Sequence, residues 1–459
     1  MNLRFRSSAA YILASILLVS AVLRIVLCLR GGQNYWPDET RDDPDLMLRG
    51  LVAGDYKEVL SVLDNPRRPV FTTLAMIPTG VARITGHAPT VEALFFSMSS
   101  VISIWLLAAV ARALGADDVE AVLAAGLLAT SSSFLYWSRH IQSYDLAMTF
   151  GLLALLVGLG RGDATARLYW CGVISGLVVL TYPGYWTTVV AVASVCIIRR
   201  SASWRDGIVT TAAVVAGLAT MPVLAIAAST ASGGQMLGRL ATYSGTIAQG
   251  RFEEGWSLPF EYLWHAEHLF LVLWLASALW AMVRFDTPPL VGAALFAALV
   301  IYGLLVLFSV GYPKFVVYGR LARQLVPFLC LVTSAAVAAL LRSPRTVARV
   351  AGVAILGGAV VQAAFNFRQP LLQSFPDDFM AHNRPAGDVA ARYRQLRWVN
   401  TEHLYPRPEP VTLPPQSVTL AVADHPLEFL PYQYEGFTPE NRAILRSTDI
   451  RMRLVGVLP

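Results

Sequence analysis

Long apolar runs separated by short polar segments make up most of residues 1–366. The first run covers about 9–29. The others cover roughly 92–114, 119–136, 143–160, 167–182, 184–199, 207–230, 266–284, 288–309, 321–341 and 346–365. Because a helix needs about 20 mostly apolar residues to cross a bilayer, the pattern predicts an all-α polytopic membrane protein with about 11 transmembrane helices.

The arginines between these runs predict how the helices are oriented. Every second loop carries them, namely Arg112, Arg161, Arg167, Arg199, Arg200, Arg205, Arg284, Arg342, Arg345 and Arg349. Because basic residues concentrate in cytoplasmic loops, the N-terminus is predicted inside and residues 30–90 outside. Lys314, Arg320 and Arg323 fall on the outer side against this rule. Cations at that position therefore need another explanation.

Two polar regions complete the predicted organisation. In the first external loop, 30–90, the moderately apolar segment Pro69–Gly86 is predicted to form a helix at the outer membrane surface. A twelfth span there would invert every later loop and place the arginine-rich ones outside. The chain thus divides into a transmembrane module, 1–366, and a polar tail, 367–459. Strand-like pieces at Ser417–Val422 and Ile450–Val457 predict that the tail is a small extracytoplasmic α/β domain.

Composition excludes other classes of protein. The chain is 55% hydrophobic and 14% charged, whereas soluble globular chains carry about 25% charged residues. Its mean hydropathy of +0.53 also excludes disorder. The net charge of +6 does not indicate nucleic-acid binding, because no basic cluster interleaved with aromatic residues is present.

Acidic residues follow the first predicted span. Asp38, Glu39 and Arg41 lie in the polar segment Tyr35–Asp43. A carboxylate at the membrane surface can accept a proton from an attacking hydroxyl, although the same residues also suit a solvated loop. Further along, Arg68 lies where a guanidinium can bind phosphate or anchor the chain at the interface. The residues alone leave both alternatives open.

Later charged residues are also candidates. Asp145 begins an apolar run, where an acid is costly and therefore a functional candidate. Arg139 lies in the loop before it. Arg320 and Arg323 are three positions apart, so they share one face of a helix at the mouth of a span. They can hold an anionic headgroup or simply extend to the interface.

In their order along the chain, these motifs resemble the GT-C glycosyltransferases, most of all the branch with the protein O-mannosyltransferases and the lipid A aminoarabinose transferase. Asp38-Glu39-Thr40-Arg41 matches the Asp-Glu motif of that branch, and Arg49–Tyr56 is similar to its surface-helix segment. Arg68-Pro69-Val70 stands where Lys-Pro-Pro is common. Tyr318-Gly319-Arg320, ahead of Pro327, resembles its late Tyr-x-Arg motif.

The resemblance implies transfer of a sugar from a polyprenyl-phosphate donor to a glycan, lipid or protein acceptor at the extracytoplasmic face. Asp38 would be the general base and Glu39 would support it. The lipid phosphate would be stabilised by Arg68, Arg320 and Arg323, with Arg139 as a weaker candidate. Arg41, Tyr318 and Asp145 complete the expected substrate-binding set. The composition and topology place such an enzyme in a bacterial inner membrane, with its active site facing the periplasm or exterior.

No cofactor or metal is expected. His265, Glu267 and His268 are three potential metal ligands within four residues, but the histidines are not spaced i, i+4 and no fourth ligand is evident. The main alternative function is a polytopic lipid or glycolipid transporter or flippase, which usually shows internal repeats and charged sites near the bilayer midplane. A lipid-diphosphate glycan ligase or polymerase is a nearer alternative, and a membrane-bound sensor or scaffold is a third.

Overall fold

A computed structural model gives the fold of the chain. The residues that it describes are 3–29, 42–64, 68–85, 90–138, 141–231, 233–241, 256–283, 288–311, 319–372, 397–399, 417–421 and 453–457.

Helices dominate the described residues of the predicted transmembrane module. They are α1 Leu3–Leu29, α2 Asp42–Ala53, α3 Tyr56–Leu63, α4 Pro69–Thr85, α5 Thr90–Ala113, α6 Asp118–Thr130, α7 Ser132–Ser138, α8 Ser143–Leu159, α9 Ala164–Thr181, α10 Trp186–Arg200, α11 Trp204–Ala231, α12 Leu258–Glu267, α13 Leu269–Val283, α14 Pro289–Val306, α15 Val326–Leu341 and α16 Thr346–Leu372. Short 3-10 turns cover Pro183–Tyr185 and Gly319–Leu325, and a π-helical turn covers Leu307–Gly311.

Each predicted span contains helix, and the chain is a multi-pass membrane protein. Within the described residues, 7 helices are long and apolar enough to cross a membrane. The remaining predicted spans are shorter helices. Two of them, α8 and α13, are apolar helices of 17 and 15 residues. The run at 119–136 breaks at Ser131 into α6 and α7, and α10 has 15 residues.

The helices differ in how much of their surface the protein covers. Most of α15 is buried, and only 11% of the apolar window of α11 and of α16 is. In a bilayer, the exposed apolar side chains of those outer helices face lipid, which is as apolar as they are. The α15 helix is therefore the centre of the bundle, and α11 and α16 lie at its edge.

Glycines allow α9 and α11 to pack at very short range. A Cβ atom built on Gly172 would lie 2.2 Å from the Val214 carbonyl oxygen, and one built on Gly217 would lie 2.0 Å from the Tyr169 carbonyl oxygen. Gly172 and Gly176 also form a Gly-xxx-Gly pair, the pattern by which small residues let membrane helices approach each other. These two helices consequently pack backbone against backbone.

The predicted surface segment of the first loop is helical, as expected. Proline at the first position of α4 suits a helix start, because its missing N–H would have no partner there. The Phe71 ring stacks on Phe96 of α5 at a centroid distance of 4.6 Å, and Cys28 of α1 belongs to the same buried cluster. Thr79 donates a hydrogen bond of 2.9 Å to Glu92. The α4 helix is thus packed onto the predicted outer ends of α1 and α5.

Three short strands are described in the tail. They are β1 Arg397–Val399, β2 Ser417–Ala421 and β3 Arg453–Val457. In the sheet, β1 pairs parallel with β2, and β2 pairs antiparallel with β3, with a register shift between Thr419 and Leu420. Strands are thus present at both places where the sequence predicts them, and β1 was not predicted.

Candidate functional site

A buried ion pair joins two residues that the sequence predicts as functional. Asp145 lies in the first turn of α8, and Arg323 lies in the 3-10 turn that leads into α15. The Arg323 Nη2 atom is 2.6 Å from Asp145 Oδ1, and the two side chains are 0% and 6% exposed. Water is therefore largely excluded from the pair, and the attraction between the charges is screened much less than at a surface.

The other side of Arg323 rests on an aromatic ring. Its guanidinium carbon lies 4.8 Å from the centroid of Phe134, a fully buried residue of α7. An arginine over an aromatic face is attracted by the ring's electron density. Asp145 and Phe134 together fix the direction of the Arg323 side chain.

The position of α7 is set in turn by Glu267. This carboxylate, fully buried, accepts hydrogen bonds from the hydroxyls of Ser131 and Ser133, each at 2.5 Å. It also accepts from the backbone N–H groups of Ser132 and Ser133, each at 3.0 Å. The first N–H groups of a helix have no partner inside it, so a carboxylate from another segment satisfies them and favours the positive end of the helix dipole. Glu267 thereby caps α7 from the end of α12.

The sequence analysis missed a third charged residue beside Asp145 and Arg323, namely Arg24 of α1. We call these three residues the buried cluster. It is fully buried, donates from Nε to the hydroxyl of Ser100 and donates from Nη1 to the Ser20 carbonyl at 3.2 Å. Among the described residues, its Nη2 atom has no hydrogen-bond partner. Both Asp145 and Arg323 act on it electrostatically. An arginine inside an apolar run is a functional signal by itself, because burying its charge is costly.

Two arginines and one carboxylate give this buried cluster a net positive charge. Beside it, at the start of α8, the Gln142 amide, the Ser143 hydroxyl and Asp145 Oδ2 have no hydrogen-bond partners among the described residues. Buried polar groups are nearly always paired, and exceptions need an explanation such as a functional role. The start of a helix also carries partial positive charge. The two guanidiniums, the Gln142 amide N–H groups and the Ser143 hydroxyl can donate to an anion with several oxygen atoms, whereas the Asp145 carboxylate holds Arg323.

Aromatic rings connect Arg68 to the same end of α8. The Arg68 guanidinium carbon lies 5.6 Å from the ring centroid of Tyr182, at the end of α9. The Tyr182 ring in turn contacts Tyr144 edge-on at 4.8 Å. Tyr144 directly precedes Asp145, so Arg68 and the buried cluster are linked through these two rings. A predicted phosphate-binding residue of the first loop is thus brought near Asp145 and Arg323.

The 3-10 turn that carries Arg323 is held by its neighbour Gln324. The Gln324 Oε1 atom accepts hydrogen bonds from the hydroxyls of Thr187 and Thr188, at 2.8 and 2.7 Å. Its Nε2 atom donates to the Gly184 carbonyl at 3.2 Å. The two threonine contacts are buried and the Gly184 contact is partly buried, so the turn is firmly placed against the start of α10.

A further buried carboxylate, Asp64, anchors the first loop. Asp64, directly after α3, accepts hydrogen bonds from the Ser229 hydroxyl and from the Gln235 N–H at 2.9 Å, and Arg239 lies 3.2 Å away. Burial raises the pKa of Asp64, but these hydrogen bonds and the Arg239 charge outweigh it and lower the pKa below its ordinary value. A Cβ atom on Gly234 would lie 2.6 Å from Asp64 Oδ1, so only glycine leaves room for this contact.

Several predicted site residues fall outside the described part of the chain. They are Asp38, Glu39, Arg41, Arg139 and Tyr318. Arg320 lies in the turn Gly319–Leu325, but its side chain is not among those described. The side chain of His265 is not described either, and His268 is exposed with a φ of 48° between α12 and α13. Among the described residues, no three His, Cys, Asp or Glu side chains form a group that could hold a metal ion.

In comparisons with known proteins, the chain matches solved structures but no family model or curated sequence. ArnT from Cupriavidus metallidurans, bound to undecaprenyl phosphate, matches with a TM-score of 0.52 at 14% identity, over 86% of this chain and 82% of that one. Its apo structure matches with a TM-score of 0.48 at 13% identity, over 79% and 73%.

An archaeal structure matches as well. AglB from Archaeoglobus fulgidus, an oligosaccharyltransferase in complex with an inhibitory peptide and a dolichol-phosphate, gives a TM-score of 0.48 at 14% identity. The match covers 90% of this chain and 62% of the AglB chain. ArnT and AglB are GT-C fold glycosyltransferases. With the helical bundle described above and the similarity to ArnT, the chain is a multi-pass membrane protein with a GT-C-like fold.

Proposed function

We propose that the chain is a membrane glycosyltransferase that moves a sugar from a polyprenyl-phosphate donor to an acceptor. We place the reaction at the periplasmic or exterior face of a bacterial inner membrane, and leave open whether the acceptor is a glycan, a lipid or a protein. The observation that carries the proposal is the buried cluster of Arg24, Asp145 and Arg323 in a GT-C-like fold.

The positive charge of this cluster suits the leaving group of the reaction. When the bond between the sugar and the lipid phosphate breaks, the phosphate gains negative charge. Donors that are already in position stabilise developing charge with little reorganisation. Arg24 and Arg323 are held in this way by Ser100 and by Asp145 and Phe134. In this proposal Arg68, Arg320 and Arg139 add further positive charge around the lipid phosphate.

The acceptor hydroxyl needs the opposite assistance. As it attacks an anomeric carbon with oxocarbenium-like character, it must lose a proton. We assign Asp38 as the general base that accepts this proton and Glu39 as the residue that supports its geometry. Arg41 and Tyr318 are assigned to substrate contacts. Asp145 is assigned a supporting role at the same site, because it holds Arg323.

The test is donor consumption in membranes. Membranes containing wild type, Asp38→Asn, Arg24→Gln or the control Asp118→Asn would receive a panel of radiolabelled polyprenyl-phosphate sugars. The control removes a carboxylate from the surface ion pair with Arg112, at the opposite end of the bundle from Arg24 by our topology. We expect wild type and the control to consume one donor, Asp38→Asn to lose nearly all turnover, and Arg24→Gln to bind the donor more weakly.

Two outcomes would contradict parts of this proposal. Near wild-type transfer by Asp38→Asn would show that Asp38 is not the base. If correctly inserted wild type consumes none of the donors, the donor class is wrong, and lipid-diphosphate sugars would be tested next.

A further inference from the structure

A groove lies at the ends of α8 and α9 that are opposite to the candidate site. It has a volume of about 420 Å³ and is lined by Val157, Arg161, Asp163, Arg167, Trp170 and Ile174, among others. Small-molecule sites in proteins have volumes of about 300–1,000 Å³. By the distribution of arginines, this end of the bundle faces the cytoplasm.

The mouth of the groove carries a net positive charge, from two arginines and one acid. The side chains of Arg161 and Arg167 are exposed, and among the described residues neither has an ion pair or hydrogen bond. The one acid in the lining, Asp163, caps α9 by accepting a hydrogen bond of 2.9 Å from the Thr165 N–H. The mouth therefore has two guanidiniums available for an anion.

The orientation of Arg167 is restricted by a glycine. A Cβ atom on Gly160, the residue that ends α8, would lie 2.9 Å from Arg167 Nη1 and 3.2 Å from its guanidinium carbon. The guanidinium thus lies directly across the backbone of Gly160. A larger residue at this position would push the charged group away from the groove.

The deeper part of the groove is apolar. From Asp163 to Ile174 the α9 axis rises about 16 Å, at 1.5 Å per residue, which reaches from headgroup depth into the hydrocarbon region. Trp170 is 56% exposed on this path, and Val157 and Ile174 line it. A free phosphate ion would use only the charged mouth, whereas a phospholipid would use the mouth and the apolar part together.

We propose that this groove binds one anionic phospholipid of the cytoplasmic leaflet. The headgroup phosphate lies between Arg161 and Arg167, and an acyl chain follows Trp170 and Ile174. Basic residues at the cytoplasmic surface attract anionic lipids, and the groove adds shape to that attraction. The site lies apart from the donor site and does not depend on the proposed transferase activity.

The test is lipid retention by the purified full-length protein. Protein from nanodiscs with equal amounts of phosphatidylglycerol and phosphatidylcholine would be analysed by native mass spectrometry. The Arg161→Ala/Arg167→Ala variant would be compared with Arg345→Ala/Arg349→Ala, which removes two exposed arginines from the same predicted face. Trp170→Ala would test the apolar part, and excess inorganic phosphate would be added as a competitor.

We expect wild type and the Arg345→Ala/Arg349→Ala control to retain one phosphatidylglycerol. Retention should be roughly 30-fold weaker in Arg161→Ala/Arg167→Ala, the combined effect of two arginines at an anionic headgroup. Trp170→Ala should also weaken it, and phosphate should not displace it. Equal losses in both double variants, equal retention of phosphatidylcholine, or displacement by phosphate would each overturn the proposal. Thermal unfolding of each variant would show that it is folded.

Discussion

The buried pair of Asp145 and Arg323 allows a direct test of what holds the candidate site together. In Asp145→Asn the side chain keeps nearly the same shape but loses its charge. Arg323 and Arg24 would then remain buried with no carboxylate of the cluster beside them. Removing one partner of a buried ion pair typically costs about 3–5 kcal/mol, because the other charge stays out of water without compensation.

The chain offers a matched control at its surface. Arg112 and Asp118 are 3.2 Å apart, with side chains 38% and 34% exposed. Surface ion pairs contribute about 0–1 kcal/mol, because water screens both charges and solvates the one that remains. Asp118→Asn makes the same chemical change as Asp145→Asn. The difference between their free energies of unfolding therefore measures the effect of burial. We therefore expect Asp145→Asn to lower the free energy of unfolding by at least about 2 kcal/mol more than Asp118→Asn does.

Equilibrium unfolding of the purified protein in mixed micelles would measure both free energies. The double variant Asp145→Asn/Arg323→Gln would complete a double-mutant cycle, and its cost should be clearly less than the sum of the two single changes. If Asp145→Asn costs no more than Asp118→Asn, the pair is not the buried interaction described above. The same result would refute our explanation of how Arg323 is positioned.

Three further results are expected. Glu267→Gln should lower the free energy of unfolding by about 2–3 kcal/mol in the same assay, since charged acceptors make the stronger hydrogen bonds, and an unchanged value would contradict its capping of α7. Gly217→Ala should lower the stability by about 3 kcal/mol by overpacking, seen as a lower Tm in detergent. Gly303→Ala, with no atom within 4 Å of its Cβ position, is its control and should change little. For Asp64, a lowered folded pKa means that its stabilisation is present above the ordinary value of 3.8 and is lost as the pH falls below it. Hydrogen exchange over residues 229–241 should thus differ between wild type and Asp64→Asn at pH 5, and the difference should shrink as the pH falls below 3.8 through the lowered folded pKa. A difference that does not shrink below pH 3.8 would contradict this.

Sequence periodicity predicted the helices well but not their breaks. Each apolar run contains helix, because twenty apolar residues in a bilayer have few other ways to satisfy their backbone groups. The break at Ser131 was missed, because Glu267 stabilises it from 136 residues away in the chain. The turn at His268, with a φ of 48°, was missed as well. Neither feature has a local signal comparable to a proline.

Two of the three residues in the buried cluster were candidates from the sequence. Asp145 was a candidate because an acid at the start of an apolar run is costly, and Arg323 because it shares a helix face with Arg320 at the outer mouth of a span. No sequence pattern indicates that they bind each other across 178 positions, since that contact depends on how α8 packs beside the turn before α15. Arg24 had a signal of the same kind, a charge inside an apolar run, and was overlooked because the run was interpreted only as a membrane span.

The close packing of α9 on α11 has a mechanical consequence for the first loop. The loop is attached to this helix pair at two nearby points, through Asp64 to Ser229 of α11 and through Arg68 to Tyr182 at the end of α9. Helices in backbone contact cannot slide past each other, so the two attachment points keep a constant separation. We therefore expect α4 to keep its position against α9 and α11 in the proposed reaction.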